Sequence, residues 1–595
     1  MQFRVQPAGL LGAAVSLGSF VAYWLTLLPG LGGGDSAELA IAVQYVGLAH
    51  PTGTPAYLLL AKLWTWLLPF GELAWRLNVF SAVTASATVL VIFLLVLRLT
   101  RSAPSAAISA LSVAFAYRFW LLTSSVQPYS LALLCFALAL YLVLRYDAAP
   151  GAARLYQLAV VSAIGVGTHV IFWLILPVVA LYVWWNRRTH TVSSLIRAAA
   201  LFILGVLALY TYIPLRAYAN PVLGWNHPDT VPKILDYLGQ KDYAYKVGKF
   251  DIGTIFPRLE FALATLLRET LGLGLLLGGA GLALVARQQK KLFWASLVLL
   301  ACDVVLLLGY GNTQDRVVLY RYLLPGVLLF AVLGGLTLAR IGQRSRIGLI
   351  ACVLLPLVML GSNWQASNMR NVHIIDDFSA NLLRSLPPNA VLLSRGDLIT
   401  APLWYRQLIL HERQDVIVID SLLVPVEWYS QDLTEKYPKI IPAELVATDY
   451  RQRLAVLITA LAERQPLFVF GSTPLPDGYI AVPHGLVQQV QNKDSEVAMA
   501  ALEQTNTQLW QEYQVRISKK NWQAIDPLVA QLINAYGKTL VNLGVFYAQF
   551  GENQAAAQAF ERSLEFTPDN SDVRKNLFDY YTAIGEAQKA KKITQ

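Results

Sequence analysis

Asp35 and Glu38 stand three residues apart in Gly32-Gly33-Gly34-Asp35-Ser36-Ala37-Glu38, between a membrane-length apolar segment and His50-Pro51-Thr52-Gly53-Thr54-Pro55. A carboxylate at a helix exit, held in a Gly-rich turn and facing water, packs poorly but suits a general base or a cation ligand. An ordinary solvated loop acid is the competing reading for Asp35 alone. If the turn continues as helix, the two carboxylates share one face. A divalent cation, if one is used, falls to Asp35 and Glu38; no other cofactor is implied.

Two further polar stretches follow. The loop 214–261 holds Tyr212-Ile213-Pro214-Leu215-Arg216 at its start, then Gly224-Trp225-Asn226-His227-Pro228 and Lys241-Asp242-Tyr243. Rings and a few cations at a membrane surface suit a sugar face or a lipid phosphate, and equally an interfacial aromatic belt. The loop 311–321 carries Asp315, Arg316, Tyr320 and Arg321. His169 stands alone in Gly167-Thr168-His169. His50 and His169 also suit helix caps, and Arg216 suits snorkelling from a span end.

The elements that must carry these residues are membrane spans. A mean hydropathy of +0.48 with 14% charged residues excludes a soluble chain of 595 residues. A span needs roughly 20 apolar residues, and about eleven such segments recur before residue 362. They lie near 8–29, 77–97, 103–122, 126–144, 155–170, 171–185, 198–214, 262–286, 292–310, 320–339 and 347–362. The stretch Ala56 to Leu68 is too short to span and reads as an interfacial or re-entrant helix. Basic residues cluster on alternate loops, at Arg98/Arg101, Arg145/Arg154, Arg187/Arg188/Arg197, Arg287/Lys290/Lys291 and Arg340/Arg344/Arg346. That bias predicts a cytoplasmic N-terminus, with Asp35 and everything beyond residue 362 outside. It also accounts for most of the net charge of +10 without nucleic acid, since no basic stripe interleaves with aromatics. Cys135, Cys302 and Cys352 lie in apolar spans, with no metal spacing and no disulfide framework.

Beyond the spans, Val391-Leu392-Leu393, Val416 to Ile419 and Leu467 to Phe470 are short apolar runs separated by helical stretches. They predict a small α/β domain. Leu543-Gly544, Tyr547, Gly551, Ala556, Phe560 and Pro568 recur about 34 residues later as Leu577, Tyr581, Gly585 and Ala590, a tetratricopeptide-like period. Three regions result: a polytopic helical membrane domain over 1–362, an α/β domain over 363–497 and a helical, tetratricopeptide-like region over 498–595. The last is expected to position a partner and to do no chemistry, its repeat residues being packing residues.

Asp35-Ser36-Ala37-Glu38, Gly47 to Pro55 (GLAHPTGTP), Leu68-Pro69-Phe70-Gly71 and Arg76 to Ala82 together resemble one known family. It is the bacterial multi-spanning family grouped with the protein O-mannosyltransferases and related to the vertebrate enzyme that mannosylates plexin-type domains. Tyr212 to Ala217, Gly224 to Pro228, Asp315 to Pro325, Leu386 to Ala390, Leu403 to Tyr405 and Asp415 to Asp420 extend the likeness over about residues 8–430. The resemblance implies the GT-C glycosyltransferase architecture, with about eleven spans. It also implies a sugar donor on a polyprenyl phosphate, taken at the non-cytoplasmic face of the bacterial cytoplasmic membrane, and an acidic residue of the first outer loop at the active centre. Asp35 matches that position, with Glu38 beside it. Two departures stand out: Val126-Gln127-Pro128-Tyr129 where relatives commonly have Glu-Val-Tyr, and a lone His169 where relatives often carry paired histidines.

Such a transfer needs a base near the acceptor, cationic help for the departing phosphate and a groove open to lipid. Asp35 and Glu38 are the catalytic candidates. His50, His169, Arg216, Trp225, Asp315, Arg316, Tyr320 and Arg321 are the candidates for donor phosphate and substrate. The acceptor is a protein, a lipid or a glycan. A transporter or flippase would want ionisable groups at mid-membrane, where Asp303 is the one acid expected inside a segment. A non-catalytic scaffold for envelope glycan assembly remains the other alternative.

Overall fold

The computed structural model describes residues 7–241, 252–309, 319–516 and 527–594. Contacts divide the chain into two compact units. One is Met1–Gly30 with Leu39–Arg370, and the other is Leu31–Glu38 with Asn371–Gln595.

The first unit is helical. Seven described helices are long and apolar enough to cross a membrane, among them Pro7–Leu25, Leu73–Thr100, Tyr129–Ala148, Val192–Tyr218 and Tyr320–Arg344. The count rises to eight if a bent pair is one span. Every one of the eleven expected segments is helical, but three stop short of span length, at Ala103–Ala114, Ala152–Val166 and Val170–Trp185. Their breaks have local causes. His169 starts a tight turn by accepting the Ile171 N–H on Nδ1 at 3.2 Å. The helix Tyr117–Leu122 restarts after Phe115 and Ala116. The segment expected over 262–286 is two helices meeting at 100°, because Leu271 and Gly272 take positive φ of 50° and 67°. The stretch after Thr54 forms the helix Pro55–Leu67.

Glycines set the closest helix approach. A Cβ on Gly281 would lie 2.0 Å from the Leu333 carbonyl oxygen, and one on Gly278 would lie 2.3 Å from the Phe330 ring. Small residues bring backbones together where lipid offers no hydrophobic drive. Leu73–Thr100 is the most enclosed of the long helices apart from Tyr320–Arg344. By contrast Ile196, Leu204 and Leu207 of Val192–Tyr210 are exposed apolar residues, as a lipid-facing surface requires.

The second unit holds a sheet of five strands: β1 (Val391–Ser394), β2 (Ile417–Asp420), β3 (Leu467–Val469), β4 (Tyr479–His484) and β5 (Val487–Asn492). Their order is β2-β1-β3-β5-β4. β1 is parallel to both neighbours, with Leu392 opposite Val418 and Phe468. The three apolar runs read from sequence are these three parallel strands; their fully apolar character reflects cover on both faces. The antiparallel hairpin β4–β5 was not expected, because four of the six residues Val487 to Asn492 are glutamine or asparagine. The helices Pro527–Gln549, Asn553–Ser563, Ser571–Ala583 and Ala587–Thr594 follow. The recurring residues Leu543, Tyr547, Ala556, Phe560, Leu577, Tyr581 and Ala590 are all buried among them.

Candidate functional site

The Gly-rich turn works as a launching point for a helix. Gly34 takes φ of +62°, Ser36 Oγ accepts the Gly32 N–H at 3.0 Å, and the helix Ser36–Tyr45 begins with Glu38 in its first turn. Asp35 therefore sits at a helix N-terminus, where the backbone dipole favours a carboxylate. Asp35 is half-buried and Glu38 is only 3% exposed. Asp35 and Glu38 open this helix three residues apart, and His50 follows it on the same loop. Two carboxylates suit a divalent cation such as Mn²⁺.

The stretch of chain that carries His50 is clamped by residues between Tyr212 and Tyr237. Leu48 N–H bonds the Leu223 carbonyl at 2.8 Å, Tyr212 Oη donates to the Gly47 carbonyl at 2.6 Å, and Tyr237 Oη donates to the Ala49 carbonyl. Arg216 Nη2 reaches the Tyr45 carbonyl at 3.4 Å. Arg216 and the buried Trp225 thus belong to the wall that holds the 45–50 stretch. Sequence reasoning had read them as ligands of phosphate or sugar.

A second set forms around Arg321, which is 5% exposed. Its Nη1 donates to Tyr129 Oη at 3.1 Å, and its guanidinium stands 4.9 Å from the centre of the Tyr129 ring. His169 packs on Tyr129 at 4.5 Å and stacks on Tyr322 at 6.3 Å. Tyr320 points the other way, under the Arg118 guanidinium at 4.3 Å. Arg118 is itself fixed by its backbone, whose N–H donates to both carboxylate oxygens of Glu269 at 3.0 and 2.9 Å. The Arg268 guanidinium covers the Tyr117 ring at 4.1 Å. Arg118 Nη1 has no hydrogen-bond partner among the described residues.

Arg118, Glu269 and Tyr129 were missed as site residues. The signal was available for two of them: a lone Arg118 inside the apolar segment 103–122, and Glu269 inside 262–286, are expensive in a membrane unless they have a task or a partner. The expectation that Asp303 is the one acid inside a segment is corrected accordingly, since Glu269 is 1% exposed and Asp303 5% exposed. Asp315 and Arg316 lie outside the described residues.

With this geometry in view, likeness to known proteins can be weighed. The family profile for the "Protein O-mannosyl-transferase TMEM260 N-terminal domain" matches residues 35–193, and that for "TMEM260-associated domain 2" matches residues 375–526. Together they span just over half of the chain. The chain belongs to the TMEM260-type protein O-mannosyl-transferase family. Protein O-mannosyl-transferase TMEM260 of Mus musculus is 26% identical over 463 residues, 73% of this chain and 66% of the relative. The Dictyostelium discoideum protein of the same name is 21% identical over 548 residues, 80% of this chain and 66% of the relative. This family member thus spans just under two thirds of the length of those relatives. The fold matches that of ArnT from Cupriavidus metallidurans bound to undecaprenyl phosphate, with TM-score 0.55 and 13% identity over 81% of this chain and 97% of that one. The apo state of ArnT matches with TM-score 0.52.

Proposed function

We propose that this chain is a membrane glycosyltransferase that moves a sugar from a polyprenyl-phosphate donor to an acceptor hydroxyl on the outer face of the cytoplasmic membrane, with Asp35 as the catalytic carboxylate. The observation that carries this reading is the family match that begins at Asp35 itself and runs through Glu38, His50 and His169. Asp35 takes the acceptor proton. Glu38 orients. A divalent ion, if one binds, would be held by Asp35 and Glu38 and would supply charge to help the phosphate depart. Arg321, aimed by Tyr129, and Arg118, with an unspent donor, supply planar donor forks for the same anion. That ArnT was solved with undecaprenyl phosphate on the same fold supports a lipid-phosphate donor.

The test is reconstitution with a polyprenyl-phosphate sugar and a peptide acceptor. Asp35→Asn keeps the shape and removes the base, so a rate loss of about 10²–10⁴ is expected. Turnover by Asp35→Asn at the wild-type rate removes Asp35 from the mechanism and favours a scaffold. Topology is checked separately: a reporter fused after Gln595 that works only outside the cytoplasm is expected to be active.

A further inference from the structure

A cavity of about 620 Å³ opens in the second unit, lined by none of the candidate transfer residues. Its position follows from the strand order. The chain leaving β1 crosses to β2 on one side, and the chain leaving β2 returns past β1 to β3 on the other. The connections after β1 and β3 therefore diverge, and a crevice is left beyond the carboxyl ends of the two strands. Parallel α/β sheets hold their ligands in that crevice. The cavity is bounded there by Arg395 and Gly396, which follow β1, and by Phe470 and Gly471, which follow β3. Gly396 and Gly471 turn the chain with φ of +79° and +73°, and nothing lies within 4 Å of a Cβ built on Gly471.

The third side is one face of Pro527–Gln549. Gln531, Asn534, Lys538 and Asn542 recur at helical spacing and line the cavity, while the apolar stripe Leu532, Ile533, Tyr536 and Leu540 is buried. Gln531, Lys538 and Asn542 are exposed and Asn534 half-buried, so the polar face of this amphipathic helix borders a space of the size that small ligands fill, roughly 300–1,000 Å³.

The lining selects the ligand. Gln488, Gln531, Asn534 and Asn542 are carboxamides, each both donor and acceptor. A sugar hydroxyl is likewise both. Phe470, which is half-buried, gives apolar surface for the C–H face of a sugar ring. The N-terminus of Asp397–Leu408 is not open to an anion, because it already serves a buried acid. Asp420 accepts from Gly396 N–H at 3.1 Å, from Thr400 Oγ1 at 2.8 Å and from Leu422 N–H at 2.9 Å. Asp397 puts a carboxylate on the wall, beside the cations Arg395 and Lys538. We propose that this cavity binds a short neutral saccharide. The site goes beyond the transfer reading and stands whether or not Asp35 performs the chemistry.

Full-length protein in nanodiscs is titrated with mannose-, galactose- and N-acetylglucosamine-containing di- and trisaccharides, with inorganic phosphate and a neutral tripeptide as controls, and binding is read by saturation-transfer NMR. At least one saccharide is expected to bind. Gln531→Ala with Asn534→Ala should weaken it by about tenfold or more. Ser472→Trp at the exposed rim should block it, and Asp35→Asn should leave it unchanged. The proposal is overturned if no saccharide of the panel binds, if binding survives both cavity variants, or if phosphate or the tripeptide alone occupies the cavity. Loss of binding in Asp35→Asn instead would assign the saccharide to the transfer site and overturn it too.

Discussion

Asp35 differs from Glu38 in burial and therefore in task. Glu38 is enclosed and Asp35 half-open, so an acceptor can reach Asp35 first. Asp35→Glu should fail almost as badly as Asp35→Asn, since one added methylene moves the oxygen by about 1 Å and positioning is strict. Glu38→Gln should lose less if Glu38 only orients, and kcat against acceptor concentration measures this. Arg321 is held between the hydroxyl and the face of Tyr129. A lysine cannot reproduce that planar fork. Arg321→Lys should lower kcat/KM for the lipid donor by about 10–100-fold, the scale of one lost hydrogen bond to a charged group, with far less effect on acceptor KM. Equal effects on both substrates would move Arg321 away from the phosphate.

At the scale of elements, two packing contacts make separate predictions. Leu273–Gln288 and Leu324–Arg344 touch through Gly281, where a side chain would meet the Leu333 carbonyl at 2.0 Å. Gly281→Val should cut membrane levels and lower Tm markedly, as overpacking costs about 1–3 kcal/mol or more. Gly279→Ala, with nothing within 4 Å, is the neutral control. In the second unit Arg413 donates to the carbonyls of Leu383, Leu386 and Pro387, at 2.6, 2.9 and 3.0 Å, and to Asp415 at 2.9 Å. The Arg413 guanidinium holds the Asp415 carboxyl down to about 2. A depressed acid contributes stability above its unfolded value of about 3.9 and loses it as pH falls toward 2. Solvent screens this exposed pair, so the contribution is small. Arg413→Ala should lower Tm at neutral pH through the lost carbonyl bonds, and its deficit should narrow between about pH 4 and 2. A deficit constant with pH would mean the ion pair contributes nothing.

For the whole molecule, the C-terminal helices have two roles that one deletion can separate. Tyr536 packs edge-on against Phe378 at 5.0 Å and stacks on Phe566 at 5.2 Å, and Arg562 Nη2 donates to the Trp510 carbonyl at 2.7 Å. Removing 537–595 therefore cuts a helix and uncovers the α/β domain, which the repeat pattern alone did not reveal. A chain ending at Asn570 keeps these contacts and loses only the last two helices. It should transfer sugar to a small peptide within about twofold of wild type if those helices only present a partner. Complete loss of transfer at normal membrane levels would contradict that role.

Much of this was legible in the residues, because the signals were local. Apolar runs must form helix in lipid, Gly-rich turns must break or start helices, and buried parallel strands must read as continuous apolar runs. Asp35 was legible for the same reason: its turn, its helix start and Glu38 lie within a few residues of one another. What the linear pattern could not decide was how far each apolar run continues as one helix. His169, Leu271 and Gly272 divide segments by backbone conformation, which hydropathy does not register. Nor could it decide which cations meet which rings. Arg118, Tyr320, Arg321, Tyr129 and His169 come from distant parts of the chain, and only the packing of the spans brings them together, because the cost of an ionisable group in a membrane is met by whatever partner the fold supplies.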